Sequence, residues 1–352
     1  MKHITRYILL IWTLAVLLVS VTGCDVHEMP SEGEEPVPGN VHKVMLHLHF
    51  NRDCPIWQTI TYNPETGTMS RSGQTQLRRY IIELHSTSSR SGSRTPINRW
   101  IQTRRLDEEH DIDVEIEIPN GHTYDVKVWQ DYTDESVSDM YYVTEDFADM
   151  HLPDKNLYRG SEEGRDAFRG TVTLKPATAS ATIEMERPLA KYRFVTTDLQ
   201  KFAESEYSRT YGVNTLSEPE RSNALKALDL SAYGVRVIYP RYLPYSYNLF
   251  TDRPADSWSN VVFTTTIKRI DDTSAEIGFD YVFVNHHDTS TNVGIEVYDR
   301  RTNEVLARIT PIDVPLRRSH VTEVRGPFLT TKASGSIGLN PDFDGEFNIF
   351  IQ

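Results

Sequence analysis

The side chains of this chain that could do chemistry fall into a few clusters. His47 and His49 project from one face of a strand-like stretch, a spacing that could begin a zinc site. Zinc needs three or four converging ligands. No cysteine or further histidine follows at a helpful distance, so the pair is expected on a solvated strand face with no metal. Asp111, Asp113, Glu115 and Glu117 line another strand face, and Asp342, Asp344 and Glu346 crowd near the C-terminus. Calcium takes six or more oxygens from a curved loop, and a straight strand spreads its carboxylates too widely. These too are expected to be wet faces, with Asp344 and Gly345 in a turn. Tyr239, Tyr242, Tyr245, Tyr247 and Phe250, set among Pro240 and Pro244, make the densest aromatic cluster. Exposed, it would be a glycan-stacking surface; burial at a sandwich edge competes with that assignment. The sequence holds no Gly-x-Ser-x-Gly elbow, no His-Glu-x-x-His helix and no phosphate-cradling Gly-x-x-x-x-Gly-Lys loop. The expectation is a non-enzymatic protein without a cofactor. A hydrolase would need a carboxylate pair converging in a pocket.

The remaining reactive groups are two thiols, Cys24 and Cys54. Lys2, His3 and Arg6 open the chain, residues 7–20 carry no charge, and Val21-Thr22-Gly23 leads into Cys24. A basic start, an apolar middle and small residues at the cut site make a secretory signal. The apolar run is shorter than the roughly 20 residues a bilayer-crossing helix needs. With the cysteine directly after Thr-Gly, the segment resembles the bacterial lipobox. Cleavage is therefore expected between Gly23 and Cys24, with lipid on the Cys24 thiol holding the mature chain to a membrane. Several acyl chains on one residue anchor far more durably than one. Cys54 would then lack a disulfide partner and is expected to be buried and inert.

The formal net charge is −13, and loss of residues 1–23, which carry two basic groups and no acid, leaves −15. That sign excludes nucleic acid or anionic lipid as the main partner, since both need a basic face. Residues 25–40 mix Pro, Gly and acids, as in a flexible spacer. Beyond them the texture is that of strands. Alternating apolar residues mark 44–50, 112–118 and 124–128, and the last two flank Pro119-Asn120-Gly121, a strong hairpin signal. Further strands are expected at 80–84, 168–174 and 182–185, with a polar loop over 131–165. A junction at Arg187-Pro188 opens a second half. There Thr197 to Gln200 has the form of a capping box, ahead of a helix with Leu199, Phe202, Ala203 and Tyr207 on one face; Ser217 to Glu220 could start another. Strands are then expected at 235–239, 261–267, 275–284, 293–298, 305–309, 321–324 and 345–351. In the 275 strand, Ile277, Phe279, Tyr281 and Phe283 are expected to share a face. Many short strands with turn residues between them make the fold class all-β, with two tandem β-sandwiches and one or two short helices. The division is a signal over 1–23, a linker over 24–40 and sandwiches over 41–186 and 187–352.

Several segments resemble fimbrillin-like surface lipoproteins of the Bacteroidota. They are Cys24-Asp-Val-His-Glu-Met-Pro30, Tyr124-Asp-Val-Lys-Val-Trp129 with Asp131-Tyr132, and Tyr158-Arg159 through Arg165 to Gly170. Glu186-Arg-Pro-Leu-Ala-Lys-Tyr-Arg-Phe194 into Thr197-Asp198-Leu199 is another, as are Leu316 to His320, Arg325 to Leu329 and Gly338 to Phe347. The resemblance implies transthyretin-like sandwiches and a fimbrial anchor or accessory subunit on the outer membrane, facing the exterior. Its partners would be fimbrial subunits or other surface proteins, joined by β-strand addition. The final strand, with Phe347, Ile349 and Ile351 on one face, is the candidate pairing segment. A surface glycan-binding lipoprotein using Tyr239, Tyr242, Tyr245 and Tyr247 is the alternative. Leaflet orientation stays open: Asp25 resembles an inner-membrane retention signal, and the acidic run from Glu32 to Glu35 resembles a surface-export signal.

Overall fold

Strict alternation builds the first strand, Val41–Phe50 (β1), which buries Val44, Leu46, Leu48 and Phe50 and turns Lys43, His47 and His49 outward. The computed structural model describes residues 40–54, 76–87, 95–331 and 348–350. Leu77–Ser86 (β2) and Asn98–Arg105 (β3) follow, then Ile112–Pro119 (β4) and Tyr124–Thr133 (β5). A long crossover contains the two-residue strand Met150–His151 (β6) and leads to Phe168–Leu174 (β7) and Ser180–Met185 (β8). Apart from β6, these strands form two facing sheets, β4-β1-β8 and β3-β2-β5-β7. Their shared core holds the inward residues of β1 and β4 against Tyr80, Ile82, Leu84, Tyr124, Val126, Val128 and Phe168.

The expected hairpin at Asn120-Gly121 does not form. β4 pairs with β1 and β5 pairs with β2, so the turn carries the chain from one sheet to the facing one. Each strand has an apolar row, and facing each other across the core buries both rows at once. Gly121 takes the left-handed turn position, with φ +86°.

The second half begins with Leu189–Thr196 (β9) and two helices, Leu199–Tyr211 (α1) and Glu218–Ala227 (α2). Tyr233–Arg241 (β10) precedes the short strands Leu243–Pro244 (β11), Ser246–Asn248 (β12), Arg253–Pro254 (β13) and Ser257–Trp258 (β14). Val261–Thr265 (β15), Lys268–Arg269 (β16), Ala275–Phe283 (β17), Thr289–Asp299 (β18), Val305–Leu316 (β19), Val321–Gly326 (β20) and Asn348–Phe350 (β21) complete it. Sheet β15-β10-β18-β19 faces sheet β16-β17-β9-β20-β21, with β20 parallel to β9. The protein is thus an all-β pair of sandwiches with two helices.

The capping box expected at Thr197 is absent. Asp198 is the N-cap of α1 but makes no side-chain cap bond. Its carboxylate instead accepts from the Thr330 N–H (2.8 Å) and hydroxyl (2.7 Å), tying the start of the helix to the chain beyond β20. The box forms at α2, where the Ser217 N–H donates to Glu220 Oε2 at 2.7 Å.

A bulge at Gly278, φ +154°, interrupts the β17–β9 register. It splits the face expected to run from Ile277 to Phe283. Ile277 faces the second core, whereas Phe279, Tyr281 and Phe283 point out of it. One extra residue switches every later side chain to the other face. That shift also sends Asp280 inward.

Candidate functional site: the domain junction, the tether end and the last strand

The outward residues of β17 meet the outer face of the first sandwich. Ile81 and Trp129 from that face, Tyr141, Tyr142, Phe147, Met150 and Leu152 from the crossover, and Tyr247, Leu249, Phe279, Tyr281 and Phe283 form a third apolar cluster. The crossover expected as a polar loop is therefore the filling between the sandwiches. Its strand β6 also pairs with β12 of the second half.

Charges are buried here with partners. Arg79 donates to Asp131 through Nε (2.9 Å) and Nη2 (2.7 Å), a fork matched to a carboxylate. Arg165, from the crossover, reaches into the end of the second core and pairs with Asp280. The Asp280 carboxylate also accepts from the Tyr158 and Tyr239 hydroxyls, both at 2.6 Å, and from the Tyr281 N–H at 2.8 Å. Arg187 donates to Asp166 at 2.8 Å. At the margin of the junction, Asp252 (φ +54°) accepts from Arg169 of β7, Arg318 (2.8 Å), Tyr247 and His286 (2.6 Å). Burial alone would raise the Asp252 carboxyl; the bonds from Arg318 and Tyr247 and the Arg169 charge outweigh it and bring it to about 2.

These residues were missed by sequence reasoning. The available signal was a charge inside an otherwise apolar strand, as with Asp280 in β17 and Arg78-Arg79 in β2. His110 is a further case. Its ring lies 5.6 Å from Phe50, and burial, reinforced by Arg78, Arg52 and Arg187, holds it down to about 4.

The aromatic cluster is divided by the fold. Tyr239 and Tyr247 are fully buried, their hydroxyls committed to Asp280 and Asp252, and so they cannot stack against a surface glycan. Tyr242 is 74% exposed and sits at φ +42°, a strained conformation for a side chain of its size. Tyr245 stacks parallel on Trp258, centroids 4.5 Å apart and planes at 5°. His47 and His49 bond to Asp113 (2.7 Å) and Asp111 (2.8 Å) across the β1–β4 pair, and Lys43 to Glu115 at 2.6 Å. Among the described residues no group of three or more His, Cys, Asp or Glu side chains is placed to hold a metal, and no helix is long and apolar enough to cross a membrane. Cys54 is half-buried, and burial pushes its thiol up.

Gly23, Cys24, Phe347 and Ile351 lie outside the described residues, as do Asp342, Asp344 and Glu346. The described part begins at Asn40. Its carbonyl accepts from the Asn120 N–H at 2.8 Å, and β1 runs from there to the junction, where Asn51 N–H donates to Met185 O at 3.0 Å. Ile349 sits in β21, parallel to β20 and opposite Val324.

Fold and junction define a two-sandwich protein whose halves are joined by a crossover and buried ion pairs. Residues 38–352 match DUF6562, described as a family of unknown function, and the chain belongs to that family. No curated protein matches it. Among solved structures it is similar to a candidate cell adhesion protein from Bacteroides eggerthii, at 9% identity and a TM-score of 0.42, over 90% of this chain and 96% of that one. The fimbrial anchor protein Mfa2 from Porphyromonas gingivalis aligns at 11% identity and 0.32, over 76% and 82%. A candidate polysaccharide-binding protein from Bacteroides thetaiotaomicron aligns at 8% and 0.39, over 76% and 79%.

Proposed function

We propose that this chain is a lipid-tethered surface protein that acts as a fimbrial anchor or accessory subunit and takes no part in catalysis. The observation that carries the reading is the order of its parts. Cys24 follows a signal-like segment, sixteen residues of spacer come next, and β1 then starts at one end of the first sandwich and runs toward the junction. The spacer reaches at most about 55 Å. The lipid therefore holds the first sandwich near the outer membrane, and the second lies beyond the junction. Subunits join through backbone pairing at a sheet edge, for which the segment from Phe347 through Ile349 to Ile351 is the candidate.

Cys24→Ala should move the protein from the membrane fraction to the soluble one and abolish incorporation of labelled palmitate. Retention of the variant at the parental level overturns the tether. Deletion of residues 345–352 should remove crosslinks to neighbouring surface proteins while the tether persists; unchanged crosslinks remove that segment from the role.

A glycan-binding surface lipoprotein is the second reading, favoured by the exposed Tyr242 and by the Tyr245–Trp258 stack. Affinity electrophoresis in polysaccharide gels should show retardation that Tyr242→Ala and Tyr245→Ala reduce. No retardation removes this reading.

A further inference from the structure

The chain enters and leaves each sandwich on neighbouring strands. It enters the first at β1 and leaves by β8, and these two run side by side and parallel, Met45 through Phe50 opposite Ser180 through Met185. It enters the second at β9 and leaves by β20, ahead of the segment that holds β21. These two are again adjacent and parallel, Lys191 through Thr196 opposite Val321 through Gly326. Among the described residues the one other parallel pair is β20 with β21, and the remaining pairs of strands are antiparallel. Glu186, Arg187 and Pro188 alone separate β8 from β9.

The direction of a pull decides what such a pair can resist. Tension along the chain draws β1 back by its first residue and β8 forward by its last. The strands must then slide past each other, and the evenly spaced bonds of a parallel ladder all take strain at once. An antiparallel pair drawn apart at its open ends loses its bonds one after another. Sliding also drags Leu46, Leu48 and Phe50 past Ile183 and Met185 within the first core. Both exits are fastened. Arg187 donates to the carbonyls of Arg52 (2.9 Å) and Asp53 (3.3 Å), pinning the far end of β1 to the connection between the sandwiches. Beyond β20, the Thr330 N–H (2.8 Å) and hydroxyl (2.7 Å) donate to Asp198, two residues past the end of β9.

We infer that the protein is a tension-bearing link, with β1–β8 and β9–β20 as two shear clamps in series between its N-terminal tether and its C-terminal segment. The inference rests on the proposed anchor role, since a pull needs a hold at each end.

Single-molecule stretching of the mature chain, with Cys24→Ser and Cys54→Ser removing the native thiols, tests it. Handles fused to the two ends pull along the chain. A second geometry replaces the C-terminal handle with one on His122→Cys. Residue 122 lies close to the start of β1, where the Asn120 N–H donates to the Asn40 carbonyl, so this pull unzips β1 from β4. End-to-end rupture should need several-fold more force than unzipping, and each sandwich should release about 500 Å of chain. Asn51→Pro removes the N–H bond to Met185 at the end of the first clamp. It should lower the end-to-end force at which one sandwich gives way and leave the unzipping force unchanged. Thr330→Val, which removes the hydroxyl bond to Asp198, should do the same at the second clamp. An end-to-end force no greater than the unzipping force overturns the inference, as do unchanged end-to-end forces in both variants. These forces do not depend on lipid, so a Cys24→Ala variant that stays in the membrane fraction counts against the tether alone.

Discussion

The two outer faces of the first sandwich carry similar residues and meet opposite fates. On β1 and β4, Lys43, His47 and His49 pair with Glu115, Asp113 and Asp111 in water, with side chains about half exposed. On β2 and β5, Arg79 pairs with Asp131, and neither side chain is more than 3% exposed. Charge alternation alone does not separate these faces. What separates them is the second half of the chain, which lays Phe279, Tyr281, Phe283 and the crossover over one face and leaves the other wet. An exposed pair is solvated whether or not it forms, so it contributes little. A buried pair is costly to break because the survivor is left uncompensated.

The contrast is sharpest at Asp280, which takes Arg165 from the crossover. Asp280→Ala is expected to destabilise by about 3–5 kcal/mol, read as a fall in the urea midpoint at unchanged slope. The joint replacement Arg165→Met with Asp280→Leu should restore much of the loss; a double variant as weak as the single one would show that the pair is more than a matched set of charges. Trp129→Ala, which empties the apolar side of the same junction, should cost about 3–5 kcal/mol. Because the interface is this extensive, both halves should lose structure together in one transition.

The histidines extend the comparison to pH. His110 is held down to about 4 in the fold against 6.5 in the open chain, so the unfolded state takes up the proton first. Its contribution is intact above pH 6.5 and is lost as pH falls toward 4, and His110→Gln should flatten the stability curve there. His49 is raised by its bond to Asp111 and works in the opposite sense, adding stability below pH 6.5 that is lost as pH rises. Asp252 acts lower: its contribution is intact above 3.8 and is lost toward pH 2. Equilibrium unfolding at closely spaced pH values separates His110 from Asp252, while the exposed His49 pair, screened by water, adds little to the curve; a flat profile between 6.5 and 4 in the wild type contradicts the assignment for His110. The smallest effect belongs to the wet face, where His47→Ala and Asp113→Ala should leave the urea midpoint unmoved.

The sequence by itself determined most of the long strands, but not β3, whose two faces are both partly wet, nor β9, which is buried on both faces and so shows no alternation. Local alternation is visible wherever a strand has one face in a core and one in water, as in β1 and β4. It also pointed to the helices, though the capping box it offered at Thr197 forms instead at Ser217, and it carried the acidic balance and the signal-like start at Cys24. It did not determine partners. Asn120-Gly121 marks a reversal of the chain whether the next strand lies beside β4 or across the core from it. Nor did it reveal that Tyr239 and Tyr247 are spent on buried carboxylates, or that one extra residue at Gly278 turns Phe279, Tyr281 and Phe283 toward the first sandwich. Each of these depends on groups far apart in the chain, such as Arg165 with Asp280 or Arg169 with Asp252. A periodic pattern records only whether a position is dry. What makes it dry, and which charge answers it, arises when the two sandwiches close on one another.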